Sequence, residues 1–75
     1  MALNEREHLA QADRHIAECR AHVARHHKLI WQSEQRGHDA SWVREALQVF
    51  KETLRIFEKH RQLIIDRLKG TEPHR

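Results

Sequence analysis

The chain has 75 residues, of which 14 are Lys or Arg, 11 are Asp or Glu and 8 are His, giving a formal net charge of +3 with the histidines neutral. A catalytic domain of ordinary size does not fit in that length, and the longest apolar runs, Leu29-Ile30-Trp31 and Leu63-Ile64-Ile65, fall far below the roughly 20 residues that cross a bilayer. The charged first thirty residues do not read as a secretory leader, and a single Cys19 excludes an internal disulfide framework and a multi-cysteine zinc site, so a reducing cytoplasm is the expected compartment.

The first predicted element is a helix over residues 4–36. Neither Gly nor Pro interrupts it, and Asn4 followed three places later by Glu7 has the pattern of a capping box. Gly37 is the natural stop, and Gly37-His38-Asp39 forms a turn at 37–39. The second helix is predicted over residues 40–69, with Asp39 as its N-cap and Gly70 as its C-terminal cap, Pro73 lying beyond. Each helix is expected to run about 45 to 50 Å. A three-residue link folds them back as an antiparallel hairpin, and the tail at 70–75 is expected to fray. The fold class is therefore all-α, a single coiled-coil-like hairpin.

Apolar residues step through both helices by alternating threes and fours. Leu9, Ala12, Ile16, Cys19, Val23, His26 and Ile30 form the seam of the first helix; Val43, Leu47, Phe50, Leu54, Phe57, Arg61, Ile64 and Leu68 form that of the second. Folding at the turn sets Ile30 against Val43, Val23 against Phe50, Ile16 against Phe57 and Leu9 against Ile64. In that register Arg20 faces Glu58 and Glu34 faces Arg44, while the small Ala12 and Cys19 leave room for the phenylalanine rings.

Beside its seam, the second helix repeats Trp42, Val49, Ile56 and Leu63 every seven residues, an apolar arc wider than one neighbouring helix can cover. The matching flank of the first helix, Asn4, Gln11, Glu18, Arg25 and Gln32, is polar, with His8, His15, His22 and Leu29 nearer the seam. A chain this small also has a marginal core and no staple. The expected outcome is a homodimer, two hairpins closing a four-helix bundle through Trp42, Val49, Ile56, Leu63 and Leu29; a helix of another protein is the other partner this face suits.

Eight histidines are the compositional oddity. His8, His15 and His22 lie one heptad apart, a step of about 10.5 Å that is too long for a shared metal. The pair His22 and His26 at i,i+4, and His15 facing His60 across the hairpin, are weak metal candidates, because tetrahedral zinc needs three or four held ligands. No metal or cofactor is expected, and the rings read as amphipathic fillers at the seam edge. Protonation would set like charges facing each other at His15 and His60 and place charge in the seam at His26, so acidification from about pH 7 to 5 is expected to loosen an assembly.

Other chemistries fare less well. The only glycines are Gly37 and Gly70, so there is no phosphate loop. Cys19 with His15 or His22 could nominate a nucleophile, but its seam position reads as a small buried hydrophobe. Glu5, Glu7 and Glu18 sit on a mixed solvated face without a di-metal pattern. No catalytic residue is assigned and the chain is not read as an enzyme. Arg20, Arg25, His26, His27 and Lys28 make the first helix locally basic, which suggests a nucleic-acid accessory as a lesser alternative. Acids interrupt the run, however, and long helices on a three-residue link do not form a helix-turn-helix, so nucleic acid is not the expected partner. Trp31 and Trp42 are expected to clamp the turn end of the bundle rather than stack on bases.

Gly37-His38-Asp39, followed by Ala46-Leu47, Phe50, Thr53-Leu54 and His60-Arg61, resembles a group of small bacterial helical-hairpin proteins with no assigned function. The resemblance spans most of the chain and implies a hairpin fold, with no substrate, cofactor or site. The expected function is a structural or protein-interaction module; a histidine-mediated metal-binding or pH-responsive protein is the alternative.

Overall fold

The computed structural model describes residues 4–71, and these form two α-helices, α1 (Glu5–Gln35) and α2 (Ser41–Thr71), with no strand among them. Neither helix is long and apolar enough to cross a membrane. The two pack along their length into one layer of 61 × 25 × 14 Å.

Local chemistry sets most of the boundaries. The Asn4 side chain accepts from the Glu7 N–H at 2.8 Å, and the Asn4 N–H donates to Glu7 Oε1 at 3.4 Å. This is the expected reciprocal box, satisfying donors that the first helical turn leaves free. At the other end of α1, the Gly37 N–H donates to the Glu34 carbonyl at 3.1 Å and the His38 N–H to the Ser33 carbonyl at 2.8 Å. That pair of bonds makes a Schellman stop, which places Gly37 in the left-handed region at φ +71°.

Two expected caps are corrected. Asp39 does not stand at the N-cap of α2: the Ala40 carbonyl accepts the first helical bond, from Arg44 N–H at 3.0 Å, and the helix begins at Ser41. Asp39 caps from one position further out, its Oδ1 accepting the Ser41 N–H at 2.9 Å and the Ser41 hydroxyl at 2.5 Å. Ala40 carries no polar side chain and is buried at the base of the turn, so the reach of Asp39 supplies the missing acceptor. Nor does Gly70 end α2, which continues through it to Thr71. A helical glycine costs only about 1 kcal/mol relative to alanine, so glycine at position 70 does not by itself end the helix. Of the tail expected to fray, Gly70 and Thr71 are helical; 72–75 lie outside the described residues.

Packing follows the predicted seam. Ala12, Ile16 and Cys19 of α1 are buried with Val43, Leu47 and Ile64 of α2, and Ile64 is the most enclosed at 1% exposure. Every other seam position is half-buried, including both phenylalanines. The Cys19 thiol donates to the Phe50 carbonyl at 3.3 Å, so this side chain is a small core filler with a satisfied S–H. Four ion pairs between the helices fix their antiparallel sense: Glu34 with Arg44 near the turn, Glu58 with Arg20, Asp13 with Arg61 at 2.5 Å, and Glu5 with Arg67 at 3.7 Å. The first two are the pairs expected from the register.

Candidate interaction face

The two flanks of the hairpin differ in chemistry. On α1, Asp13, Arg20 and Glu34 recur at seven-residue multiples along one edge of the seam, and each holds a partner on α2, Arg61, Glu58 and Arg44 respectively. Charges along that edge are therefore paired and wet, each pair contributing about 0–1 kcal/mol. On the other edge of the α1 seam stand His8, His15, His22 and Leu29.

These histidines are organised by the phenylalanines of α2. The His22 ring stacks on Phe50 with centroids 4.9 Å apart and planes 16° from parallel. His26 leans on the same ring at 4.9 Å and 58°, its Nδ1–H donating to the His22 carbonyl at 2.7 Å. One heptad along, His15 meets Phe57 at 5.6 Å and 35°. Such contacts bury the ring faces while leaving polar nitrogens at the edge, which agrees with the filler role expected at the seam edge. His15, Glu18, Cys19, His22, Phe50, Thr53 and Phe57 line a shallow, mostly apolar groove of about 350 Å³. The groove continues toward the open end, where His8, His15 and His60 stand around Phe57.

The second wall of this face is the apolar strip of α2. Trp42 is 69% exposed, Val49 61%, Ile56 64% and Leu63 56%, and Leu29 on the α1 side is 38% exposed. The hairpin thus leaves these side chains uncovered on its own, because α1 occupies only the seam side of α2. Trp31 is also exposed, at 62%, but it lies two heptads from Ala17, which lines the ion-paired groove with Asp13, Arg20, Glu58 and Arg61. Trp31 and Trp42 therefore stand on different flanks, and in the single hairpin neither is clamped.

The metal candidates separate. His15 and His60 share a groove, while His22 and His26 stack on one phenylalanine, and the His26 Nδ1 is committed to a backbone carbonyl. Among the described residues no three His, Cys, Asp or Glu side chains gather so as to hold a metal ion. Two carboxyls are perturbed, both at helix starts. A hydrogen bond from His8 Nδ1 at 3.0 Å, helped by the charge of Arg67, holds Glu5 below the usual carboxylate range despite some desolvation. The Ser41 hydroxyl and N–H do the same for Asp39.

The ion pairs Asp13–Arg61 and Glu5–Arg67 and the His–Phe stacks were not read from the sequence. Their signal was the index register: each joins residues whose numbers add to between 72 and 76, close to the sum that aligned the seam. No protein-family model matches the chain, and neither a curated protein nor a solved structure matches it.

Proposed function

We propose that this hairpin is a non-enzymatic structural or protein-interaction module that works by self-association, two copies closing a four-helix bundle. The observation that carries this reading is the row of Trp42, Val49, Ile56 and Leu63, each more than half exposed, at constant seven-residue spacing. A layer only 14 Å thick has no second layer to bury that row, and helical domains gain their stability by covering such stripes. Full burial of a Leu, Ile or Val is worth about 1.5–3 kcal/mol relative to exposure, so covering four such positions on each of two chains supplies a large association free energy. The free, buried Cys19 suits a reducing cytoplasm.

Sedimentation equilibrium at micromolar concentration tests the proposal. A species of twice 9.0 kDa is the expected result. A single-chain mass up to tens of micromolar would remove self-association and leave a helix of another protein as the occupant of the strip.

A further inference from the structure

We propose that the ion-paired edge of the hairpin carries a binding site for single-stranded nucleic acid, in which Lys28, Lys51 and Arg55 take phosphates and Trp31 takes a base. The site lies on the flank away from the α2 strip, so it stands or falls independently of self-association.

Register locates it. Arg20 pairs with Glu58 and Glu34 with Arg44, and the numbers of each pair add to 78. Between Arg20 and Glu34 the same edge of α1 has one more heptad place, His27, and α2 offers Lys51 at that level. Where the pairs on either side join a base to an acid, this level sets a histidine opposite a lysine, both exposed. Lys28 follows His27, and Arg55 stands one turn from Lys51. Among the described residues none of Lys28, Lys51 and Arg55 has an ion-pair partner, whereas the acids at the two ends, Glu34 and Glu58, are held by arginines. Glu52 adjoins Lys51 in sequence but sits about 100° further round α2, toward its outer face. Three uncompensated cations therefore gather on a short length of an otherwise neutralised edge. Folding has redistributed the basic run of α1 to make it: Arg20 is spent on Glu58, His26 leans on Phe50 in the seam, and two cations of α2 join Lys28.

Trp31 borders this patch one turn from His27 and Lys28. It is 62% exposed and, among the described residues, makes no ring contact. A helical side chain leans toward the N-terminus of its own helix. In an antiparallel pair that carries Trp31 back from the turn, over His27 and Lys28, and carries Lys51 and Arg55 toward the turn, so the indole and the cations converge. A single strand satisfies both, since its backbone is anionic and its unstacked bases offer π-faces to an aromatic platform. A duplex keeps its bases stacked and meets only the cations. An acidic peptide segment likewise leaves the indole without a partner.

Fluorescence anisotropy of a labelled single-stranded oligothymidylate tests the site, with its duplex and a polyglutamate peptide as competitors. Three phosphate contacts on a single strand give a slope of log affinity against log salt of about −2, so binding should weaken about 20-fold between about 50 and 200 mM salt. Lys51→Gln with Arg55→Gln should weaken binding more than about tenfold and reduce the slope to about −0.7. Trp31→Ala should weaken it about 5- to 150-fold, and Trp42→Phe should leave it unchanged. All four positions are exposed, and helical circular dichroism checks that each variant folds. In the Trp42→Phe chain, where Trp31 is the sole tryptophan, the oligonucleotide should quench the emission. Undetectable binding at about 50 mM salt overturns the proposal, as does binding that survives the double substitution or leaves Trp31 emission unchanged. Competition by the duplex or by polyglutamate as strong as that of the unlabelled single strand overturns it too, leaving a general anionic surface.

Discussion

Truncating Ile56 to Ala separates association from folding. The side chain is 64% exposed in the hairpin, and full burial of an isoleucine is worth about 1.5–3 kcal/mol, so about 1–2 kcal/mol remains to be gained on each chain when the strip is covered. Alanine forfeits most of it. A two-fold dimer contains the position twice, which sets the expected loss at about 2–3 kcal/mol, or about 30- to 150-fold in the dimer dissociation constant. The hairpin itself should change by less than about 0.5 kcal/mol, because a solvent-facing side chain leaves no cavity behind. Sedimentation equilibrium over a concentration series gives the first quantity; urea melts at a concentration where the chain is monomeric give the second. An unchanged dissociation constant would refute the assignment of this face, and an equal loss in the monomer melt would show that Ile56 serves the hairpin rather than an interface.

The remaining predictions concern the hairpin. Ile64→Ala, at a site 1% exposed, should lower unfolding free energy by about 2–5 kcal/mol, read as a drop in urea midpoint at constant slope. Gly37→Ala should cost about 1–2 kcal/mol from the left-handed φ of +71° alone, since nothing lies within 4 Å of an added Cβ; a larger loss in the urea melt would mean that the turn is crowded. Glu5 and Asp39 have folded-state pKa values below their ordinary 4.5 and 3.8. Their contribution is therefore present above those values and is lost as pH falls through the lower folded ones. Denaturation series between pH 6 and about 2 should show that decline, and the double substitution Glu5→Gln, Asp39→Asn should flatten it; an unflattened profile would place the acid sensitivity elsewhere.

Sequence made the helices legible because every local signal agreed: unbroken helix formers, a capping box at Asn4, and a glycine where the chain must turn left-handed. The register was legible for the same reason. Arg20 with Glu58 and Glu34 with Arg44 could be paired in advance because the heptad leaves little freedom once the turn is located. What escaped were features set by a residue or two of backbone. Asp39 carries the side chain of an N-cap but sits one place too early, so Ala40 takes the backbone role; Gly70 has the identity of a stop but stays helical. The His–Phe stacks lay between these cases. The spacing of His8, His15 and His22 placed them at the seam edge, but which ring lies on which depends on side-chain rotamers that periodicity does not specify.

The division of the surface follows from how the seam is centred. On α2 the seam leans toward Val43 and Leu47, which are among the deeply buried positions. That offset carries Arg61, Glu58 and Arg44 within reach of Asp13, Arg20 and Glu34, so the polar flank closes on itself by ion pairs that are satisfied in water. The same offset turns the strip of α2 away from α1, leaving between them a groove floored by phenylalanine and edged by histidine. The ion-paired charges of that flank gain little from meeting another protein, since they already have partners and would have to be desolvated. The other flank carries the uncovered apolar row and the groove beside it. The face proposed for association is thus a consequence of the seam that folds the hairpin, and substitution at Val43 or Leu47 that moved the seam would change both together.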